Sequence, residues 1–272
     1  MILCIDTALS SCSVSLSWEG KTIAKLEHSD AYKASEVLHT LIEQLLDSKS
    51  VGLQALKAIA INGGPGSYTG LRIGASTAKG FCYSLNIPLI HLDGLKILSN
   101  GVINRYNKTN YDNYIPMIDA RRMEVFTCIF NQSLETILPP KPVILTEEFG
   151  KELKNKKTII FGNGAEKASS ILQLQDATFF TEFKTDICDF NTLCWDKYCN
   201  EMFENYATYS PNYLKEFYTN AWQTDIYTFL NVNIILKTNK TIFLMWRFKN
   251  TTVLKPNQNN LQWLPQQLTT KF

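Results

Sequence analysis

The sequence has no long apolar run and only three histidines, and both shortages restrict what it can do. No window of its 272 residues offers the roughly eighteen uninterrupted apolar residues of a membrane span. The start, MILCIDTALSSC, also lacks the basic region of a secretory signal. His28, His39 and His91 include no pair four residues apart, which excludes a helical His-x-x-x-His metal site. We therefore expect a cytoplasmic protein with no membrane segment and no metal.

Cysteine pairs with metal-site spacing are missing as well. The chain has seven cysteines and no Cys-x-x-Cys. Several of them lie in apolar runs, which favours buried thiols in a reducing compartment over disulfides or zinc ligands.

Charge is moderate overall but unevenly distributed. The chain is 45% hydrophobic and 19% charged with a net charge of +2, which predicts a soluble globular protein with a substantial core. Residues 220–272 hold six basic side chains, one acid and eight asparagines. Residues 1–219 hold 21 basic and 24 acidic side chains, a net charge of −3. A mildly acidic body binds nucleic acid poorly by itself, so any RNA would need basic surface from another subunit.

Strand and helix patterns alternate along two successive halves of the chain. The first half predicts a β-meander over 1–28, helices over 34–47, 70–85 and 93–105, and strands over 55–61 and 87–92. After a polar linker at 104–113, the second half predicts strands over 114–120 and 124–130, then helices over 147–154, 164–174 and 191–206. We predict a duplicated α/β architecture with lobes at 1–105 and 106–219 and an atypical tail at 220–272.

Two predicted helices carry more surface suited to packing than one sheet would cover. The apolar residues of helix 34–47 span roughly 180°, against about 100° for an ordinary surface helix. Helix 70–85 has two faces of small or apolar residues, one containing Gly74 and Ala78 and the other containing Ser76 and Gly80. Small residues four apart allow another helix to approach closely, so we expect these helices to have additional neighbours.

A glycine-rich corner, INGGPGSYTGLRIGASTAKG at residues 61–80, joins a predicted strand to the second helix. Such corners often bind phosphate. This one lacks the spacing and the lysine of a P-loop, and it also fails the Gly-x-Gly-x-x-Gly fingerprint. Two interpretations stay open: a structural turn with Ser67 or Thr69 as the helix N-cap, or a weak anion contact in a shared site.

Other candidate chemistry is sparse. Asp6 ends the first strand, where catalytic carboxylates often lie. Glu36 and His39 form a single Glu-x-x-His, whereas a di-metal bundle site needs two. Arg121 and Arg122 mark either a functional turn or ordinary exposed charges at a hairpin.

Four segments together resemble the TsaB (YeaZ) family, namely ILCIDTALSSCSVSL, INGGPGSYTGLRIGASTAKG, IDARRMEVF and PNYLKEF. The resemblance covers residues 1–219. It implies a two-lobed fold of the actin/Hsp70/sugar-kinase (ASKHA) type. It also implies a non-catalytic partner of TsaD, the enzyme that makes threonylcarbamoyladenosine beside the tRNA anticodon. Other implied partners are a TsaE-like ATPase, a second copy of the chain, and tRNA only indirectly.

The resemblance also implies where the chain binds. Its two N-lobe helices would pack with those of TsaD or of a second copy, through Val37, Leu38, Leu41, Ile42, Leu45, Ile73, Ser76, Gly80 and Tyr83. A shared nucleotide or anion site, with ATP or ADP bound weakly at most, would involve Asp6, Thr7, Gly64, Gly66, Ser67 and Thr69. No residue is expected to be catalytic. Asp6-Thr7-Ala8 has alanine where phosphate-binding relatives of this fold carry glycine.

Three other functions compete with this interpretation: a phosphotransferase or ATPase of the same fold, a glycopeptidase-like metalloprotein, and a self-associating scaffold unrelated to tRNA. The tail at 220–272 has no recognised counterpart. It is an RNA-facing extension, a partner-binding segment or an aberrant C-terminus, and its composition predicts weak independent folding.

Overall fold

A computed structural model describes residues 1–30, 33–146, 149, 156–172, 177–215, 233–237 and 241–245. The chain separates into two compact units, Met1–Glu216 and Phe217–Phe272. The first unit contains two five-stranded sheets. None of the described helices is long and apolar enough to cross a membrane.

The first sheet has the strand order β3-β2-β1-β4-β5. β1 pairs antiparallel with β2 and parallel with β4, so a meander continues into parallel strands. The five strands are β1 (Ile2–Asp6), β2 (Cys12–Trp18), β3 (Lys21–His28), β4 (Ala58–Asn62) and β5 (Leu89–Leu92). The predicted opening meander is confirmed.

The second sheet repeats this arrangement. Its order is β10-β9-β6-β7-β8, so β6 and β9 form the parallel centre that β1 and β4 form in the first sheet. Its strands are β6 (Asn113–Asp119), β7 (Glu124–Phe130), β8 (Thr136–Ile144), β9 (Thr158–Phe161) and β10 (Ala177–Phe180). The predicted two-lobed α/β fold with a duplicated architecture is therefore confirmed.

Helices α1 (Ala34–Asp47) and α2 (Tyr68–Leu85) pack against one face of the first sheet. α1 buries Leu38, Ile42 and Leu45 against the β2 side, in a core shared with α2 residues such as Ala78. The residues of β1 alternate between this core and a second core on the opposite face. The apolar stripe of α1 thus serves first to close its own lobe.

Residues 187–199 return to the other face of the first sheet. α5 (Asn191–Cys199) contributes Cys194 to the core beneath β1, and the Trp195 ring lies 4.8 Å from the Trp18 ring. Because α5 ends at Cys199, the predicted helix 191–206 is too long. Glu201 has a left-handed backbone, and the Glu204 N–H donates to the carbonyl of Leu89, so the chain leaves the helix to pair with the sheet edge.

Two further predicted helices differ in length from the observed ones. The 93–105 prediction corresponds to α3 (Gly94–Asn100), which continues as one π-helical turn over Gly101–Arg105. The 164–174 prediction shrinks to α4 (Ala165–Ser169). The predicted helix 147–154 lies outside the described residues, apart from residue 149.

The second unit contains a hairpin of β11 (Asn233–Lys237) and β12 (Thr241–Met245), paired antiparallel. The rest of the 220–272 tail lies outside the described residues. Its weak independent folding therefore stays a prediction.

Candidate functional site

The glycine-rich corner lies between β4 and α2. β4 ends at Asn62, and α2 begins at Tyr68. The Ser67 side chain caps the helix by accepting the Gly70 N–H at 3.3 Å. Ser67 is therefore the N-cap, and Thr69 lies exposed in the first turn.

The glycines allow this corner to pack directly on the turn after β1. A Cβ atom on Gly70 would lie 1.9 Å from the carbonyl oxygen of Thr7, and one on Gly66 would lie 2.3 Å from that of Ala8. Gly64 has a φ of 102°, which a side chain would strain. The glycines therefore bring two backbone segments of the same lobe into contact.

Polar groups at the corner bond to one another. The Ser67 N–H donates to the Ala8 carbonyl at 2.7 Å, and the Thr7 hydroxyl donates to the Gly70 carbonyl at 2.7 Å. The Gly64 N–H donates to the Asn62 side-chain oxygen at 3.0 Å. Much of the donor capacity that a phosphate would use is thus consumed within the lobe.

Asp6 faces the same corner from the end of β1. Its Oδ1 accepts the Ala8 N–H at 2.9 Å and the Asn62 amide at 3.2 Å. Burial raises the pKa of the Asp6 carboxyl, and these two hydrogen bonds act in the opposite direction. The structure brings the six predicted nucleotide-site residues together, but the Asp6 carboxylate already supports the loop.

Residues 209–215, which the sequence analysis does not single out as a site, hold the corner from the other side. The Tyr209 hydroxyl lies 2.8 Å from His91 Nδ1, and the Asn212 N–H donates to the Gly63 carbonyl at 2.8 Å. Burial lowers the pKa of His91 to about 4, and Lys197 acts in the same direction. The sequence PNYLKEF has no apolar periodicity, so only its family resemblance distinguishes it.

The same segment continues to the second lobe. Leu214 packs against the core that contains Leu95 and Phe126, and Lys215 forms an ion pair with Glu124. The chain's own backbone and side chains therefore cover one side of the corner.

The nine predicted interface residues divide into buried and outward groups. Leu38, Ile42 and Leu45 are at most 2% exposed and belong to the core of the first lobe. The outward group comprises the exposed Ser76, Gly80 and Tyr83, together with Val37, Leu41 and Ile73, which are half-buried and also pack against that core. The apolar residues of helix 34–47 do span a wide arc, but most of them face the core of the first lobe.

On α2, Ile73, Ser76, Gly80 and Tyr83 follow a helical stripe that we call the α2 outward face. A Cβ atom on Gly80 would meet no atom within 4 Å. Tyr83 is 77% exposed, the most exposed of the large hydrophobic residues in the described part of the chain. A bare helix backbone beside an exposed aromatic ring is the surface that a second helix can approach closely.

Metal ligands and disulfides do not form in the described part of the chain. No cluster of three or more His, Cys, Asp or Glu side chains exists there. All seven cysteines are free thiols, and five of them are buried. Glu36 and His39 are both exposed on α1.

Comparison with known proteins gives consistent results. Residues 28–192 match the family described as TsaD, tRNA N6-adenosine threonylcarbamoyltransferase. The chain is 33% identical to the tRNA threonylcarbamoyladenosine biosynthesis protein TsaB of Bacillus subtilis over 172 residues, 60% of this chain and 70% of that protein. It is 32% identical to TsaB of Escherichia coli over 125 residues, 46% of this chain and 52% of that protein.

The fold also matches a solved relative. YeaZ from Pseudomonas aeruginosa superposes with a TM-score of 0.67 at 25% identity, covering 78% of this chain and 99% of that one. The superposition and the 70% coverage of the Bacillus subtilis TsaB both indicate the family that the four sequence segments resemble. The chain belongs to the TsaB family of tRNA threonylcarbamoyladenosine biosynthesis proteins.

Proposed function

We propose that this chain is a non-catalytic subunit that binds a TsaD-like threonylcarbamoyltransferase through the α2 outward face and supports its activity. Membership of the TsaB family connects the chain with threonylcarbamoyladenosine synthesis. Beyond family membership, we propose the partner, the docking face and the lack of catalysis.

The use of the glycine corner supports a non-catalytic role. Gly66 and Gly70 lie against the Ala8 and Thr7 carbonyls. The protein's own backbone therefore occupies the space beside these glycines that a phosphate would need. The corner has no lysine between residues 62 and 71. Any ATP or ADP is therefore bound weakly by this chain and mainly by the assembled complex.

The geometry of α2 supports the docking role and is the observation on which the proposal rests. Gly80 faces open space and Tyr83 is 77% exposed, although both lie in a helix whose other side is buried. Glycine in a helix interior costs about 1 kcal/mol relative to alanine. A partner helix packed against Gly80 would recover that cost by close contact.

The remaining partners follow from the same assignment. Without the TsaD-like subunit, the α2 outward face is available to a second copy of the chain. A TsaE-like ATPase joins the complex, and tRNA binds mainly to the other subunits because residues 1–219 carry a net charge of −3.

Reconstitution of the modification reaction tests the proposal. The isolated chain should transfer no threonylcarbamoyl group to tRNA, whereas adding it to the TsaD-like subunit and the TsaE-like ATPase should raise the rate at least tenfold. Modification by the isolated chain, or an unchanged rate when it is added, would overturn the proposed role.

A further inference from the structure

A surface cavity of about 520 Å³ lies in the second lobe, beside the loop that joins α3 to β6. It is lined by residues 107–111 of that loop, by Lys157 just before β9, and by Ala177 and Thr178 at the start of β10. Its volume is typical of small-molecule sites, which range from about 300 to 1,000 Å³. We call it the loop cavity.

The side chains of the loop cavity favour an anion. Lys108 and Lys157 each supply an ammonium group. The other lining residues, apart from Ala177, carry amides or hydroxyls, which donate hydrogen bonds without adding negative charge. None of the described lining residues is acidic. The cavity therefore combines positive charge with several neutral donors.

The two ammonium groups are not neutralised within the described part of the chain. Neither Lys108 nor Lys157 forms an ion pair with a described residue. The Lys108 Nζ lies 5.4 Å from the centre of the Phe180 ring, a contact that leaves its positive charge intact. The neighbouring carboxylate of Asp112 accepts the backbone N–H of Lys157 at 2.9 Å instead of pairing with an ammonium group.

Backbone hydrogen bonds hold the loop in place. The Tyr114 hydroxyl donates to the Lys108 carbonyl at 2.8 Å, and the Lys108 N–H donates to the Val102 carbonyl at 3.1 Å. At the other end, the Asp112 N–H donates to the Lys157 carbonyl at 2.8 Å. Since these bonds use main-chain groups of both lysines, their side chains stay available on a fixed backbone. Such preorganisation reduces the entropy that binding would cost.

The donors present favour phosphate over carboxylate. Carboxylates are best matched by the planar, two-bond guanidinium group of arginine, and no arginine lines the described cavity. Lysine binds phosphate as a point charge, and several phosphate oxygens can accept bonds from neighbouring amides and hydroxyls. The cavity is also larger than a phosphate ion, so it has room for an organic group beside Tyr111 and Ala177.

We infer that the loop cavity binds a phosphate group, with Lys108 and Lys157 on the phosphate oxygens and the Tyr111 ring against the organic part of the ligand. A free nucleotide and an RNA backbone both present this group. The net charge of −3 over residues 1–219 limits any RNA contact to a few phosphates. None of the residues of the glycine corner or of the α2 outward face lines this cavity, and the inference does not depend on the function proposed above.

Amide chemical shifts of the ¹⁵N-labelled full chain, titrated with inorganic phosphate at constant ionic strength, test this inference. We expect saturable shifts at Thr109, Asn110 and Thr178, with a dissociation constant of about 1–10 mM. The double variant K108Q/K157Q should bind at least tenfold more weakly. K49Q/K156Q removes the same charge from exposed positions outside the cavity, so it should bind within twofold of the wild type. Both variants should unfold at the wild-type temperature.

Titrations with AMP and with the trinucleotide ApApA distinguish the two sources of the phosphate group. Tighter binding of AMP would indicate a free nucleotide, and tighter binding of ApApA would indicate RNA. Three results would overturn the inference: no saturable shift at residues 107–111 up to about 50 mM phosphate, unchanged binding by K108Q/K157Q, or an equal loss in K49Q/K156Q. If neither AMP nor ApApA bound more tightly than inorganic phosphate, the role given to Tyr111 would be wrong.

Discussion

The Tyr209 hydroxyl lies 2.8 Å from Nδ1 of His91, which ties the C-terminal segment of the first unit to the strand beside the glycine corner. Burial in this contact lowers the pKa of His91 to about 4, with Lys197 contributing. In the unfolded chain a histidine titrates near 6.5. The folded protein therefore holds this imidazole neutral at pH values where the unfolded chain protonates it.

This difference predicts a pH-dependent stability. Between about pH 6.5 and pH 4 the unfolded state binds more protons, so the free energy of unfolding should fall as the pH falls, by up to about 3 kcal/mol. Urea unfolding at several pH values would measure the slope. His91→Gln removes the titrating group and should flatten it, and an equally steep slope in that variant would contradict the assignment.

Two glycines of α2 should respond to alanine in opposite directions. Gly70→Ala places a Cβ atom 1.9 Å from the Thr7 carbonyl and should destabilise the protein by about 2–3 kcal/mol. Gly80→Ala places it in open space and should stabilise by about 0.5–1 kcal/mol through helix propensity. Chemical denaturation of both variants checks this, and effects of the same sign would refute the packing described for the corner.

Nucleotide binding by the isolated chain should be weak. The Ser67 N–H is bonded to Ala8, and the Gly64 N–H is bonded to Asn62. We expect titration calorimetry with magnesium and ATP to give a dissociation constant above about 1 mM, with no phosphate release. Micromolar binding or turnover would favour a phosphotransferase instead.

Arg121 and Arg122, in the turn between β6 and β7, have φ values of 70° and 49°, so this turn should hold strain that glycine relieves. Arg122→Gly keeps the φ of 49° without a steric penalty and should raise the free energy of unfolding by about 1 kcal/mol. A matched Lys141→Gly change in β8 should destabilise, because glycine weakens a strand. If Arg122→Gly also destabilised the protein, the left-handed conformation would not be costly here.

The sequence predicts the repeated order of strands and helices well, because apolar periodicity reports local structure. Periodicity does not predict which distant segment of the chain packs on each face of a strand. Ser13, Ser15 and Ser17 alternate with apolar residues as in a strand with one face in water, yet all three are buried. Residues 187–199 return over them from far along the chain, and no local pattern encodes that contact.

The candidate site shows the same division. Composition and spacing left Ser67 and Thr69 as alternative N-caps, and a turn or an anion contact as alternative roles for the glycines. The structure shows Ser67 as the N-cap and Gly66 and Gly70 packed against the Ala8 and Thr7 carbonyls. A helical wheel of α1 does not show which of its apolar residues contact the sheet. In the structure, Leu38 and Ile42 face the core. Residues 209–215 lack any periodicity, so their position beside Gly63 required the structure.

Calorimetric titration of the TsaD-like subunit with the Gly80→Leu variant tests the central claim most directly. Leucine at this position projects from the α2 outward face into open space. If the chain binds through the α2 outward face, the affinity should fall at least tenfold while the thermal stability is unchanged or higher. Ser169→Leu, an equally bulky change at an exposed position of α4, should bind like the wild type. Binding of Gly80→Leu within twofold of the wild type would contradict the account.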